Sequence, residues 1–181
     1  MENFNVPVKN EVNEINQGIF DSLENKLGFV PNLYATFAHS ESALADFLAL
    51  SSRKSTLNAK EKEVISLVVS QINGCSYCLA AHTAIGKMNG FTDDQILDIR
   101  QAKVSFDTKL DALAKFVKSA VINRSKPSAE ATQQFLNADY TTENVIDTMV
   151  VIGEKTITNF IHGTTQIPVD FPAAPELELV S

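Results

Sequence analysis

Glycine and proline are scarce in this chain, 7 and 6 among 181 residues, and they fall between long segments of helical periodicity. No alternation of period two persists, so a sheet-based fold is not expected, and no repeat of fixed length divides the chain. No apolar run reaches the roughly 18 residues that a membrane-spanning helix needs. An excess of basic residues is also missing. The formal net charge is −7, and no run of Lys or Arg offsets it. Such a chain gains nothing from phosphate backbones or anionic lipids, so neither nucleic acid nor a membrane is an expected partner. The opening Met1-Glu2-Asn3-Phe4-Asn5 has neither the basic nor the apolar region of a signal peptide, and a cytoplasmic location is expected. Cysteine is almost absent too: there are two. In a reducing compartment a Cys-x-x-Cys pair reads as redox or metal chemistry rather than as a structural bridge.

Hydrophobic residues make up 44% and charged residues 20%, enough apolar material for a core that needs no disulfide. The length suits a single domain over 1–181, with its most informative motifs at about 58–102 and an extended tail over 168–181. The fold class is all-α. Val12, Ile15, Ile19, Phe20 and Leu23 mark a helix over 11–26, and Gly28 stops it. A turn at 28–32 leads into a short helix ending at Phe37. Ser40 is expected to cap a helix over 41–52. Asn58 and Glu61 form a capping-box pair for 59–73, which Asn73-Gly74 ends. Further helices are expected from Ser76 to Asn89, over 93–102 behind Thr92, over 108–123 behind Asp107, over 129–138 behind Pro127-Ser128, and from Thr142 to about Gly163. The tail is proline-rich and carries Val169, Phe171, Leu177 and Leu179, so it should lie on a surface. Phe29, Phe37, Phe47, Phe106, Phe116 and Phe135 are expected in the core.

The segment 59–73 is apolar around most of its circumference, through Val64, Ile65, Leu67, Val68, Val69 and Ile72, and should be buried. Glu63, Ser66, Ser70 and Asn73 interrupt it along one narrow stripe. Buried polar groups need partners. Ser66 and Ser70 can bond back to their own helix, or the stripe can face a wet cavity or another element.

The most informative stretch is Cys75-Ser76-Tyr77-Cys78-Leu79-Ala80-Ala81-His82. A thiol reacts as its thiolate, and the first turn of a helix favours negative charge. Cys75 falls near the N-cap and Cys78 in the first turn, a spacing that puts both sulfurs on one side. His82 is four residues after Cys78, one turn further on the same face, where it can take the Cys78 proton or stabilise the thiolate. Two ordinary buried cysteines would also fit. So would an open zinc site built from both cysteines, His82 and water, with His39 and His162 the remaining histidines. His39 is expected to be structural. His162 suits the end of the last helix as a cation.

Glu63, eleven residues, Cys75-x-x-Cys78, three residues and His82 together resemble the alkylhydroperoxidase D (AhpD) and carboxymuconolactone decarboxylase superfamily. Two flanking segments are similar to its peroxidase-related branch: Leu27-Gly28-Phe29-Val30-Pro31-Asn32-Leu33-Tyr34, and Thr165-Gln166-Ile167-Pro168-Val169-Asp170-Phe171-Pro172. The resemblance implies an AhpD-like helical bundle, assembly into homotrimers or hexamers, and thiol-dependent reduction of alkyl or hydrogen peroxide. By position, Cys78 is the attacking thiol, Cys75 resolves it as a disulfide, and His82 with Glu63 form the proton relay. An external dithiol, a lipoyl group or a thioredoxin-like protein, would restore the pair. No cofactor and no metal are expected. The better-known pattern has a histidine between the cysteines, where this chain has Tyr77. A phenol titrates near pH 10, so Tyr77 can pass a proton through its hydroxyl but is a poor base at neutral pH. A lyase of the decarboxylase branch and a non-catalytic redox sensor or helical assembly module remain as alternatives.

Overall fold

The computed structural model describes residues 4–177; Met1, Glu2 and Asn3 of the opening segment and Leu179 of the tail lie outside the described residues. Among the described residues regular structure is helical throughout, with no strand. After a short 3₁₀ turn come α1 (Glu14–Leu27), α2 (Asn32–Phe37), α3 (Ala43–Ser51), α4 (Ala59–Ile72) and α5 (Ser76–Met88). They are followed by α6 (Asp93–Gln101), α7 (Thr108–Ile122), α8 (Ala129–Asn137) and α9 (Thr142–Thr165). No helix among the described residues is long and apolar enough to cross a membrane.

Helix starts fall where a side chain can take an orphan backbone N–H. Asn58, Thr92, Asp107, Ser128 and Thr141 all do so, and Asn58 with Glu61 and Thr92 with Gln95 complete capping boxes. Two starts differ from expectation. Asn13 caps α1, which begins at Glu14 rather than at 11. Ser42, not Ser40, precedes α3. The cause is tertiary: Asn16 donates to the Ser40 carbonyl at 3.1 Å and Asn13 to the Glu41 carbonyl at 3.1 Å, which holds 40–41 against α1 as a turn. Gly28 closes α1 with φ +83°, a left-handed conformation that costs other residues a Cβ clash.

The centre of the molecule is α4, which packs against α5, α6, α7 and α9. Val64, Ile65, Leu67, Val68 and Val69 are all at most 1% exposed. Burying side chains of this size contributes roughly 1.5–3 kcal/mol each, which outweighs the weak preference of β-branched residues against helix. A second apolar cluster gathers Phe20, Leu33, Phe37, Leu44 and Phe47 around Cys75, Tyr77, Cys78 and Ile167. Of the six phenylalanines expected in the core, Phe37, Phe47, Phe116 and Phe135 are buried, whereas Phe29 and Phe106 keep more than a third of their surface exposed. Phe29 sits at the α1–α2 turn against Phe171 of the tail, with ring centroids 5.7 Å apart. The tail is extended and lies on its own chain: Ile167 is buried, and Arg100 donates to the Pro175 carbonyl at 2.6 Å.

The loop before α4 is fastened to α9 by one carboxylate. Asp147 accepts from the Thr56 N–H at 2.6 Å, the Thr56 hydroxyl at 2.7 Å and the Ser55 hydroxyl at 3.1 Å, and pairs with Arg53 at 2.8 Å. The Thr56 donors above all, with Arg53 and Ser55, hold its carboxyl well below the usual range against the opposing effect of burial. A depressed folded-state pKa stabilises the fold fully above the unfolded value of about 3.9, and that contribution is lost as pH falls below it. Asp147→Ala is expected to lower stability at pH 7 by about 2 kcal/mol in urea denaturation. The gap between variant and parent should shrink as pH is taken from 6 towards 3, and a gap independent of pH would refute this role.

Candidate active site

The turn between α4 and α5 builds the site. Asn73 ends α4, and Gly74 takes φ +65°, which a side chain would strain, so the chain reverses in two residues. Cys75 then becomes the N-cap of α5: its N–H donates to the Ser70 carbonyl at 3.0 Å, and its Sγ accepts the Cys78 N–H at 3.3 Å. The two sulfurs lie 2.7 Å apart as free thiols. One hydrogen can be shared across that contact, and a small shift closes a disulfide. On the adjoining turn His82 Nδ1 meets Glu63 Oε2 at 2.8 Å. Glu63, Cys75, Cys78 and His82 are all buried in this one region.

The two thiols are not equivalent. Cys78 is held below the ordinary thiol value, first by the hydrogen bond from the Cys75 thiol, then by attraction to His82 and by bonds from Asn159 and Thr158, with burial opposing them. Cys75 is pushed well up by its bond to Cys78 and by burial, and the backbone N–H of Cys78 and the Asn159 amide do not reverse this. Cys78 is therefore the thiolate-bearing sulfur and Cys75 the donor. Thr158 Oγ1 lies 3.9 Å from Cys78 Sγ and now donates to the Lys155 carbonyl at 2.8 Å. Rotation of that hydroxyl would give its single hydrogen to the thiolate instead.

The stripe on α4 is satisfied by three different means. Ser66 bonds back to the Lys62 carbonyl at 2.7 Å. Ser70 instead accepts from the Asn159 amide at 3.3 Å, and the Asn73 amide donates to Asn159 Oδ1 at 2.9 Å. Glu63 takes His82. Asn159 and Thr158 were not foreseen as site residues. Their signal lay in α9, where Glu154, Thr158, Asn159 and His162 are polar yet buried on one face, the same pattern that marked α4.

Tyr77 is buried, with its hydroxyl away from the surface: the oxygen accepts the Leu33 N–H at 3.2 Å. His162 is buried as well, its ring 5.4 Å from that of Tyr77 and its Nε2 3.3 Å from the Ile167 carbonyl. Burial lowers its pKa, so it is not the helix-end cation expected. His39 bonds to the Asn5 carbonyl at 2.9 Å, a structural contact. Among the described residues no three His, Cys, Asp or Glu side chains are grouped so as to hold a metal ion. Cys75 and Cys78 are 3% and 2% exposed, so a substrate reaches them only if something moves. An apolar cleft of about 380 Å³ lies between α3 and α9, lined by Phe37, Phe47, Leu50, Ile157 and Ile161 among others. Its walls Phe37 and Phe47 belong to the cluster that encloses the cysteines, although the cysteines themselves do not line it.

The model of the carboxymuconolactone decarboxylase family matches residues 38–119, a stretch that contains Glu63, Cys75, Cys78 and His82. Among curated proteins, YdfG of Bacillus subtilis (strain 168), an uncharacterized protein, is 36% identical over 44 residues, or 24% of this chain and 30% of that one. The match thus spans less than a third of that relative's length. The AhpD core of a peroxidase-related protein from Ralstonia eutropha JMP134 superposes with a TM-score of 0.83 at 20% identity, over 92% of this chain and 91% of that one. A peroxidase-related protein from Silicibacter sp. TM1040 gives 0.81 at 22% identity, over 91% and 90%. The debrominase Bmp8 gives 0.72 at 17% identity, over 87% of each chain. The helical architecture is AhpD-like.

Alkylation resolved by cysteine tests the asymmetry of the thiols. Cys78 should react with a pH midpoint below the ordinary thiol value of about 8.5, and Cys75 only well above it. Cys75→Ala removes the leading donor and is expected to raise the Cys78 midpoint towards that value. Equal midpoints for both cysteines in the unmodified chain would reverse the assignment.

Proposed function

Because the carboxymuconolactone decarboxylase family model matches residues 38–119 and the fold is AhpD-like, we propose that the chain belongs to that superfamily and is a thiol-dependent peroxidase, reducing alkyl or hydrogen peroxides through a Cys75/Cys78 dithiol–disulfide cycle. The observation that carries this reading is a pair of free thiols 2.7 Å apart, with the lowered one served by a Glu63–His82 pair. His82, oriented by Glu63, takes the Cys78 proton. The thiolate attacks the outer peroxide oxygen. As the sulfur–oxygen bond forms, the oxygen–oxygen bond breaks, and the leaving alkoxide or hydroxide receives the proton back from His82. Cys78 is then a sulfenic acid. Cys75 attacks its sulfur, the disulfide forms, and the hydroxyl leaves as water after gaining the Cys75 proton. The dithiol has lost two electrons and the peroxide has gained them. An external dithiol, lipoyl or thioredoxin-like, returns the pair to thiols by exchange.

The apolar cleft beside the cysteine cluster favours a peroxide with an alkyl portion over a small polar one. The role is antioxidant, in the reducing cytoplasm. The working unit is a homotrimer or hexamer, a reading supported by Ile146, Ile157 and Phe160, which α9 leaves exposed.

Peroxide consumption measured with a panel of reductants tests the assignment. Cys78→Ser should fall to background. Cys75→Ser should stop after one turnover with a trappable sulfenic acid on Cys78. Glu63→Gln should lose about 10²-fold in rate. Wild-type consumption by Cys78→Ser would sink the peroxidase reading. Turnover of a muconolactone acid by the double Cys→Ser variant would replace it with the lyase. A disulfide that forms reversibly without repeated turnover would replace it with a redox sensor.

A further inference from the structure

Tyr77 stands between the two cysteines in the chain, and its side chain joins three segments far apart in sequence, α2 through the hydroxyl and the tail through the ring. Its oxygen accepts the Leu33 N–H at 3.2 Å, while the preceding Asn32 N–H donates to Asp170 Oδ2 at 2.7 Å. These are the first two N–H groups of α2, which have no acceptor within their own helix. The Asn32 side-chain amide adds a bond to the Pro168 carbonyl at 3.1 Å. The second oxygen, Asp170 Oδ1, is sealed from solvent and has no hydrogen-bond partner among the described residues. Burial, and after it the adjoining Asp170 carboxylate, push the Tyr77 phenol up, so it keeps its proton. The ring is held as firmly as the hydroxyl: His162 lies 5.4 Å away and Phe171, edge-on, 5.7 Å. Residues 167–171 thus form a strap across the dithiol turn.

We propose that Tyr77 and Asp170 are positioning residues for the dithiol, pinning the first turn of α5 beneath the C-terminal strap so that Cys75 stays against Cys78. This rests on Cys78 being the reactive thiol, not on any particular substrate. The backbone of the turn is held by the Cys75 N–H on the Ser70 carbonyl at 3.0 Å and the Leu79 N–H on the Cys75 carbonyl at 2.9 Å, but neither bond fixes the Cys75 side chain. Helix ends fray, and beyond the sulfur contact the side chain of Cys75 is tied to Cys78 by the Cys78 N–H on Cys75 Sγ at 3.3 Å. Tyr77 lies within that turn and ties it to α2 and to the tail at once. When the tie is cut, Cys75 is free to swing away, and the Cys78 thiolate loses its foremost donor. The other ionisable groups around Cys78 are Cys75 and His82 on α5, Glu63 on α4, Tyr34 on α2, and Glu154 and Lys155 on α9, and neither substitution below alters any of them.

The sign of the effect separates positioning from plain electrostatics. Asp170 is negative, so removing its charge without moving anything would make the Cys78 thiolate easier to form and lower the pH midpoint. Loss of positioning raises it. The test takes the full chain with Tyr77→Phe, which keeps the ring and the Asp170 charge, and with Asp170→Ala. Alkylation of Cys78 by iodoacetamide is followed against pH, with amide exchange at Leu33 and circular dichroism as a check of fold. Both variants are expected to raise the midpoint by about one pH unit and to speed Leu33 exchange about tenfold. An unchanged midpoint in Tyr77→Phe overturns the proposal, and so does a lowered one in Asp170→Ala. No peroxide enters the assay, so a raised midpoint in a protein that consumes no peroxide would keep the positioning role while the peroxidase reading falls.

Discussion

A helix without a solvent face has to find a partner for every polar side chain it carries, and over 63–70 α4 is such a helix. Its five innermost aliphatic residues stabilise its burial by roughly 1.5–3 kcal/mol each, so it goes to the centre whatever its polar residues require. The polar residues must then be met where they are. Leaving the Glu63 carboxylate unpaired in that interior would cost several kcal/mol, and His82 of α5 removes the penalty at 2.8 Å. Ser70 and Asn73 draw Asn159 in from α9 in the same way. The elements that surround the dithiol are those that α4 needs as neighbours. Structural demand and a reactive centre thus share one set of contacts.

That arrangement explains which features can be read from the chain and which cannot. Asn58, Thr92, Asp107 and Ser128 cap helices through side chains that reach their own next few residues, so the information is local. Ser40 has the right residue type, but Asn13 and Asn16, more than twenty residues away, fix its carbonyl region as a turn. The same division holds in the site. Glu63, Cys75, Cys78 and His82 lie on two consecutive helices joined at Gly74: helical spacing aligns the last three, and the short turn folds α4 back so that Glu63 meets His82. Thr158, Asn159 and Asp170 reach the site through the packing of α9 and the tail, which no local pattern specifies. Only the unexplained polarity of a buried α9 face hinted at the first two.

The thiol asymmetry is a contest between effects of the same kind. A helix N-terminus favours negative charge on the residue nearest the free N–H groups, and by that measure Cys75 at the N-cap should be the thiolate. It receives one backbone N–H, at 3.3 Å, and the Asn159 amide, which it shares with Cys78. Cys78 receives the Cys75 thiol itself, the attraction of His82, and the polar ends of Asn159 and Thr158. The larger set outweighs the smaller, and the shared hydrogen settles on Cys75. Burial opposes ionisation of both sulfurs, so it cannot create the difference; it only makes each surviving hydrogen bond count for more.

Two flanking segments, one before α2 and one after α9, had no evident connection with the dithiol in the linear chain. In the fold they meet at one side chain. Asn32 and Leu33 supply two backbone donors, Asp170 and the phenol oxygen of Tyr77 accept them, and Phe29 and Phe171 close over the junction. Replacing a histidine by a tyrosine between the cysteines is therefore more than the loss of a base. Imidazole would leave the Leu33 N–H to be satisfied differently, whereas a phenol reaches it and remains protonated while doing so. The position that would carry protons in the better-known pattern carries load here: it turns the tail into part of the wall around the thiols. Access to Cys78 and the conformation of 167–171 are consequently one question, because the residue that lies between the cysteines in the chain is also the residue that the strap grips.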